Sequence, residues 1–354
     1  MLTLGLETSC DETAAAVLEH GTSVRSSVVA SQHDLHAEYA GVVPEIAGRA
    51  HVERITPVVR AALREAGVTL ADLHAVAVGY RPGLIGSLVV GVAAAKALAW
   101  SLGIPIVGVD HVHAHLYAGL LRERDGTNGD DRSLFPALGL VVSGGHTSIY
   151  AMESPVALTR LGATIDDALG EAFDKAATIL GLPYPGGPAL DALARTPGAN
   201  DRAHDFPIAR LAGDSLDFSF SGLKTALLYA VRGVPGPGER APVPALTDHA
   251  RADLAASFER AACAAVVLKL GRALSVVRER GPCRSLLTGG GVTANTRLRA
   301  ELAGVARREG LELRLPPPRF CLDNAAMIAG LGHAMLATGV RHDLDLSAVP
   351  TAAC

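Results

Sequence analysis

Apolar and polar positions fall into blocks that recur along the chain. Residues 2–6 (LTLGL) read as a short strand and 14–18 as a second, with the polar turn ETSCDET between them. Residues 24–31 form a third strand. A polar segment with His33, His36 and Tyr39 leads through AGVVPE into a helix over 46–67, whose charged positions from Glu53 to Arg64 face water. Residues 75–78 are a strand, 82–86 a glycine-containing turn, 87–102 a helix and 104–109 another strand. That strand ends at Asp110, a favourable helix N-cap.

The opening pattern then returns. Residues 121–133 (LRERDGTNGDDRS) read as a link or surface loop. After it, 137–142 is a strand, SGGHT a turn and 148–152 a strand. LGLETSCDETAAAVL and LGLVVSGGHTSIYAM share one plan, so the chain is expected to hold two copies of one fold unit. Two such turns approaching a common cleft could hold a phosphate chain through backbone N–H groups and hydroxyls. The second copy continues with a helix over 164–180, its apolar face Phe173, Ala176 and Leu180, stopped by Gly181. A Pro/Gly turn and helix follow (LPYPGGPALDALA). Next come a loop-rich stretch over 205–225, a Pro/Gly excursion over 233–245 and a helix over 250–280. The strand 285–288 runs into Gly289-Gly290-Gly291, and Asn295 opens a helix over 296–309. A strand over 311–315, a stop at 316–318 and a last helix capped by Asp323 precede an irregular tail, 340–354.

At 354 residues the length suits two domains. The expected division is 1–133, 134–323 and a final helix and tail, 324–354, with helix 324–338 packing back on the first part. Hydrophobic residues make up 49% but aromatics only 4%, so the core is built from Ala, Val and Leu. A net charge of −4 excludes a globally basic nucleic-acid binder and leaves room for a local basic patch. The five cysteines are odd in number and lack CxxC spacing, which fits a reducing compartment. The apolar run 88–109 is broken by Lys96, Ser101 and Pro105 and reads as a buried helix then a strand, not a membrane span. The N-terminus lacks a basic n-region. The expected location is the cytoplasm.

The densest chemistry lies at VGVDHVHAHLYAGLL. With Asp110 as cap, His111 and His115 are an i, i+4 pair about 5–6 Å apart at Cβ. His113 lies about 200° round the helix from His111. The pair reads either as half of a divalent-metal site or as histidines on a partly exposed helix. HExxH needs a glutamate where Val112 stands, so a zinc-protease reading lacks its base. A carboxylate should complete the site; Asp323 and Asp11 are candidates, with Asp323 equally readable as a cap. SGLKT (221–225) is not a Walker A loop. Asn295 after the triple glycine, Asp174 on a polar helix face, Gly186-Gly187, and Ser143-Gly144-Gly145 read either as nucleotide contacts or as ordinary turns, caps and solvated groups.

Together these pieces resemble one family. LETSCDET, VVPEIAGRAH, HxxxH at His111/His115, VVSGGHT, TIDDALGEAFDKAA, YPGGP, DFSFSGLKT, GGGVTAN and CLDNAAMIA stand in the order of the tRNA N6-adenosine threonylcarbamoyltransferase family (TsaD), formerly described as glycoproteases (O-sialoglycoprotein endopeptidases). The resemblance implies an α/β, two-domain actin-like/sugar-kinase/chaperone-ATPase fold with duplicated mixed-sheet units and a central cleft. It implies transfer of the threonylcarbamoyl group from threonylcarbamoyl-adenylate to the N6 amine of the adenosine 3′ to the anticodon in tRNAs reading codons that begin with A, releasing AMP. It implies one divalent metal, Fe(II) or else Zn(II), on His111, His115 and Asp323. Val141, Val142, Ser143, Gly144 and Gly145 would contact the donor. Asp174, Gly187, Asp191 and Asn295 would hold its nucleoside. Asp11 and Glu12 would orient the amine or accept its proton. TsaB and TsaE are the implied partners, alongside tRNA.

This chain departs from the family pattern at three places. Arg81 replaces the first glycine of the usual GPGL turn. Asp110 precedes His111 where His or Asn is usual, and so reads as a cap or as an acceptor for a ligand imidazole. His113 takes a position often acidic. Two other readings on the same fold are a small-molecule O-carbamoyltransferase, which would need a further domain, and a non-catalytic nucleotide-binding scaffold.

Overall fold

The structure, a computed structural model, describes residues 1–36, 39, 41–123, 131–209, 211, 213–234 and 246–350, Arg132 by its backbone only. Residues 124–130 of the anticipated link, 235–245 of the Pro/Gly excursion and 351–354 of the tail lie outside the described residues. The described chain forms two compact units. One comprises 1–133, 153–158 and 314–354, the other 134–152 and 159–313.

The first unit is built on strands β1 (Leu2–Glu7), β2 (Glu12–Glu19), β3 (Ser23–Ser31), β4 (Ala75–Arg81), β5 (Ile106–Asp110) and the short β6 (Arg122–Glu123). Its helices are α1 (His33–His36), α2 (Pro44–Ala66), α3 (Ile85–Leu102) and α4 (His111–Tyr117). The sheet order is β5-β4-β1-β2-β3-β6. The anticipated hairpin pairs β1 with β2 antiparallel, Leu6 opposite Ala15, whereas β4 and β5 run parallel to β1. Leu4, Leu6, Val17, Val76 and Val78 form a core with Ile55, Val58, Val59 and Ala62 of α2 and Val92, Ala95 and Ala99 of α3. Each valine, leucine or isoleucine among them contributes about 1.5–3 kcal/mol on leaving water. α3 is long and apolar enough to cross a membrane by length and composition alone. The helix expected to be buried is so on one face: Leu88, Val92, Ala95 and Ala99 are buried, while Val89 and Trp100 face outward. The expected irregular tail also does structural work, since His342 bridges to Ile106 and Leu346 joins the core.

The second unit repeats the hairpin in β7 (Ala137–Val142) and β8 (Thr147–Met152), adds β9 (Leu158–Ala163), which the polar pattern concealed, and continues with α5 (Leu169–Ile179), α6 (Gly186–Ala194), α7 (Ser221–Arg232) and α8 (Asp248–Arg278). β10 (Ser285–Gly289), α9 (Thr296–Glu309) and β11 (Glu312–Arg314) complete its elements, in the sheet order β11-β10-β7-β8-β9. The helix expected over 164–180 starts only at Leu169. Asp166 accepts instead from the Phe220 N–H and the Ser219 and Ser221 hydroxyls, a local alternative to the helical first turn. The loop expected to run to 225 ends at Ser221, where α7 begins.

The last helix, α10 (Ala325–Ala337), packs across β1, β2 and β4 of the first unit. The approach is close. A methyl on Gly5 would lie 2.8 Å from Ala329 Cβ, so the small residues of AAMIAGLGHAM are what the contact requires.

Candidate functional site

β5, β4 and β1 are neighbours in the sheet, and at their C-terminal ends stand Asp110, Arg81 and Glu7. α4 starts directly after β5. Asp110 Oδ1 accepts the N–H groups of Val112 and His113 at 3.0 and 3.2 Å. Its Oδ2 meets Arg81 Nε at 3.2 Å. Asp110 is therefore the cap, and the imidazole acceptor role falls elsewhere.

The cap sets the turn that brings His111 and His115 together. Their rings meet edge to face, centroids 4.7 Å apart. Both Nε2 atoms point at Asp323 Oδ1, from 3.6 and 3.3 Å. The three residues offer ligand atoms that lie within 4.8 Å of one another. The expectation of a partly exposed helix face is corrected: His111 is 5% and His115 0% exposed, because α10 packs against α4. Among the described residues, neither nitrogen of His115 has a hydrogen-bond partner. A sealed polar group without a partner costs roughly 1–3 kcal/mol. A divalent cation would supply that partner, and two imidazoles with one carboxylate are a suitable donor set. This group can hold a metal ion. His113 is not part of it.

The alternative role for Asp323 is also excluded. Asn324, not Asp323, caps α10: its Oδ1 accepts the Met327 N–H at 3.0 Å, and its amide donates to the carbonyls of Leu322 and Phe320. Asp323 is left facing the imidazoles.

On the other side of His111, Nδ1 lies 3.1 Å from Glu7 Oε2 and 3.2 Å from Ser9 Oγ. Burial disfavours a charged ring there, but Glu7 and Asp323 outweigh it and lift the His111 pKa to about 9. Glu7 is fully buried, and sequence reasoning passed over it as one of several turn residues. Its signal was a carboxylate closing an otherwise apolar strand.

The turn carrying Asp11 and Glu12 is braced from α2. His51 Nε2 donates to the Cys10 carbonyl at 3.0 Å, and Thr13 Oγ1 lies 2.8 Å from His51 Nδ1. Glu12 Oε1 accepts the Ser31 hydroxyl, while Oε2 is buried with no hydrogen-bond partner among the described residues. Burial raises the Glu12 pKa to about 7, with Asp11 and Asp323 adding to the rise and Ser31 opposing it.

The remaining sequence-derived residues lie in the second unit. Ser143, Gly144 and Gly145 form the β7–β8 turn, closed by Ser143 N–H to the His146 carbonyl at 2.7 Å. Val141 and Val142 are buried in β7. Gly170 at the start of α5 donates to the Ser143 carbonyl, and a methyl on it would lie 2.7 Å from that oxygen. Gly290, at φ 95°, abuts the Val142 carbonyl. The serine–glycine turn, the start of α5 and the glycines after β10 thus converge. Nearby on α6, Gly187 N–H donates to Asp174 Oδ1 at 3.1 Å, and the space where its side chain would be is open. Asp191 Oδ2 accepts from Thr296 Oγ1 at 3.0 Å. Asn295 caps α9 through Leu298 N–H, and its amide donates to Glu259, a buried carboxylate that the sequence reading missed. Burial raises the Glu259 pKa to about 7, opposed by the Asn295 amide.

Known proteins resemble this chain over nearly its whole length. A family model described as tRNA N6-adenosine threonylcarbamoyltransferase matches residues 23–330. Proteins of that name from Symbiobacterium thermophilum and Trichlorobacter lovleyi are each 49% identical, over 349 and 351 residues, covering 99% of this chain and 96% of theirs. Among solved structures, HypF of T. kodakarensis superposes with a TM-score of 0.59 at 17% identity, covering 95% of this chain and 48% of that one. That likeness concerns the fold, which is of the actin-like/sugar-kinase/chaperone-ATPase type.

Proposed function

Because the chain belongs to the tRNA N6-adenosine threonylcarbamoyltransferase family, we propose that it performs this transfer with a divalent metal at His111, His115 and Asp323. The reaction is transfer of a threonylcarbamoyl group to the N6 amine of the adenosine beside the anticodon in tRNA. The donor we assign is threonylcarbamoyl-adenylate. The amine forms a bond to the carbamoyl carbon, the bond from that carbon to the phosphate oxygen breaks, AMP leaves and the amine gives up a proton.

The donor carbonyl is already activated, so the protein's task is to hold donor and amine together and to stabilise developing charge. A bound cation, Fe(II) or else Zn(II), supplies Lewis-acid stabilisation. The observation that carries the metal reading is His115, buried and without a hydrogen-bond partner beside Asp323. The Ser143–Gly145 turn, with Val141 and Val142 behind it, offers N–H groups to the donor. Gly187 leaves bare backbone for the nucleoside, flanked by Asp174, Asp191 and Asn295. Glu12 accepts the amine proton, since its raised pKa balances basicity against ionisation near neutral pH. Asp11, its neighbour, orients the amine.

The two units correspond to two subdomains of the family fold, divided near residues 133 and 313. TsaB and TsaE are the partners in this reading, and the cytoplasm the location, where tRNA is found. The test is reconstitution with threonylcarbamoyl-adenylate, tRNA and both partners, with nucleosides read by mass spectrometry. Threonylcarbamoyladenosine is expected. Its absence would overturn the proposal.

A further inference from the structure

We propose that Glu7 is the positioning residue that makes His111 a metal ligand, by holding its ring in the tautomer whose Nε2 carries a lone pair toward Asp323. This rests on the metal reading above.

An imidazole binds a cation through an unprotonated nitrogen, and the neutral ring then carries its proton on the other one. In His111 the nitrogen facing Asp323 is Nε2, so the proton must sit on Nδ1. Nδ1 faces Glu7 Oε2 at 3.1 Å and Ser9 Oγ at 3.2 Å. An ionised carboxylate only accepts hydrogen bonds, so it selects the Nδ1–H form. A hydroxyl can donate or accept and selects neither. Glu7, not Ser9, therefore decides the tautomer.

The surroundings leave Glu7 little freedom. It is fully buried at the end of β1. Oε1 accepts the Ser9 N–H at 2.5 Å, which leaves Oε2 to face His111 Nδ1. Gly79 on the adjacent β4 gives the carboxylate room: a methyl there would lie 2.6 Å from Oε2.

Glutamine at position 7 has the same shape but only one acceptor. The Ser9 backbone N–H cannot reverse its polarity and would keep the amide oxygen. The amide NH2 would then face His111 Nδ1. That nitrogen would have to accept, which moves the proton to Nε2 and blocks the metal-facing atom. A change of one atom should thus disable a ligand without touching its metal-facing nitrogen. Outer-sphere partners of this kind typically contribute about 10–100-fold to metal affinity.

Zinc dissociation constants, measured on the full chain by competition with a chromophoric chelator, test the inference. The set is wild type, Glu7→Gln, Ser9→Ala and His111→Ala, with thermal melts to establish that each variant is folded. His111→Ala should weaken zinc at least 100-fold, Glu7→Gln about 10–100-fold and Ser9→Ala less than threefold. Nitrogen-15 spectra of the zinc-loaded wild type should show the His111 proton on Nδ1. If His111→Ala leaves zinc binding intact, the ligand assignment itself is wrong. If His111→Ala abolishes binding but folded Glu7→Gln binds within threefold of wild type, or if the His111 proton is not on Nδ1, the role of Glu7 is overturned.

Discussion

Arg81 and Asp110, at the ends of neighbouring strands beside His111, form an ion pair, Nε to Oδ2 at 3.2 Å. They sit opposite each other where β4 and β5 run out. The arginine also lies over the Tyr80 ring, 5.1 Å from its centroid. Arg81 is thus engaged within the first unit. The Arg81 side chain is 48% exposed, so the pair is worth well under about 1 kcal/mol. Asp110→Asn keeps a capping oxygen, whereas Asp110→Ala loses it. Denaturant unfolding should show Arg81→Gly and Asp110→Asn close to wild type and Asp110→Ala about 1 kcal/mol less stable. Equal losses for Asn and Ala would mean that the charge, not the cap, matters.

Asp323 and Asn324 are adjacent but do different work. Asn324→Ala removes the α10 cap and should cost about 1 kcal/mol of stability. Asp323→Ala should leave the α10 cap in place and lower bound metal. Paired melts and metal analysis separate the two, and a reversed pattern would return Asp323 to a capping role.

This pair also marks how far the sequence was legible. The two hairpins, the Gly-rich start of α3, the cap at Asp110 and the helix after Asn295 were all readable, because each depends on local patterning or on a side chain bonding its own backbone. Which of Asp323 and Asn324 caps α10 depends on what else faces Asp323, and that is set by α4, some two hundred positions earlier. The late start of α5 was hidden for a similar reason: Asp166 is committed to Phe220 and its neighbours. The burial of His111 and His115 was hidden too, since their helix shows polar residues on that face and only the packing of α10 reveals it as interior. Most of the candidate site came from a family resemblance carried by motifs in order; behind it, Glu7 stood within LETSCDET without being singled out, and Glu259 had no motif to announce it.

Glu12 makes a pH-dependent prediction. Its folded pKa is raised from 4.5 to about 7. Between those values the folded chain keeps a proton the unfolded chain has lost, so this residue's contribution to stability falls as pH rises through that window and is level above it. Glu12→Gln should flatten that part of the stability profile. As the proton acceptor, Glu12 should also give a single-turnover rate rising through about pH 7, and the variant should lose that limb with a drop of about 10²–10⁴-fold. An unchanged rate profile in the variant would assign the proton to another group.

Gly186 and Gly187 should respond oppositely to alanine. A methyl on Gly186 would lie 2.6 Å from Ala177 Cβ and 2.7 Å from Asp174 Cα, so that variant should be destabilised. A methyl on Gly187 meets nothing within 4 Å and sits in a helical turn, so the fold should tolerate it. If a nucleoside lies on that backbone, Gly187→Ala should weaken AMP binding at least tenfold in calorimetry. Full AMP affinity in the folded variant would move the nucleoside elsewhere.

The most direct measurement takes wild type and His115→Ala, each with its partners, and determines bound metal and threonylcarbamoyladenosine formed on tRNA in the same preparations. His115 is buried without a hydrogen-bond partner, so a ligand role is what its position offers. The account predicts about one metal per wild-type chain and modified tRNA, with both lost together in the variant. A folded His115→Ala protein that modifies tRNA at the wild-type rate would contradict it.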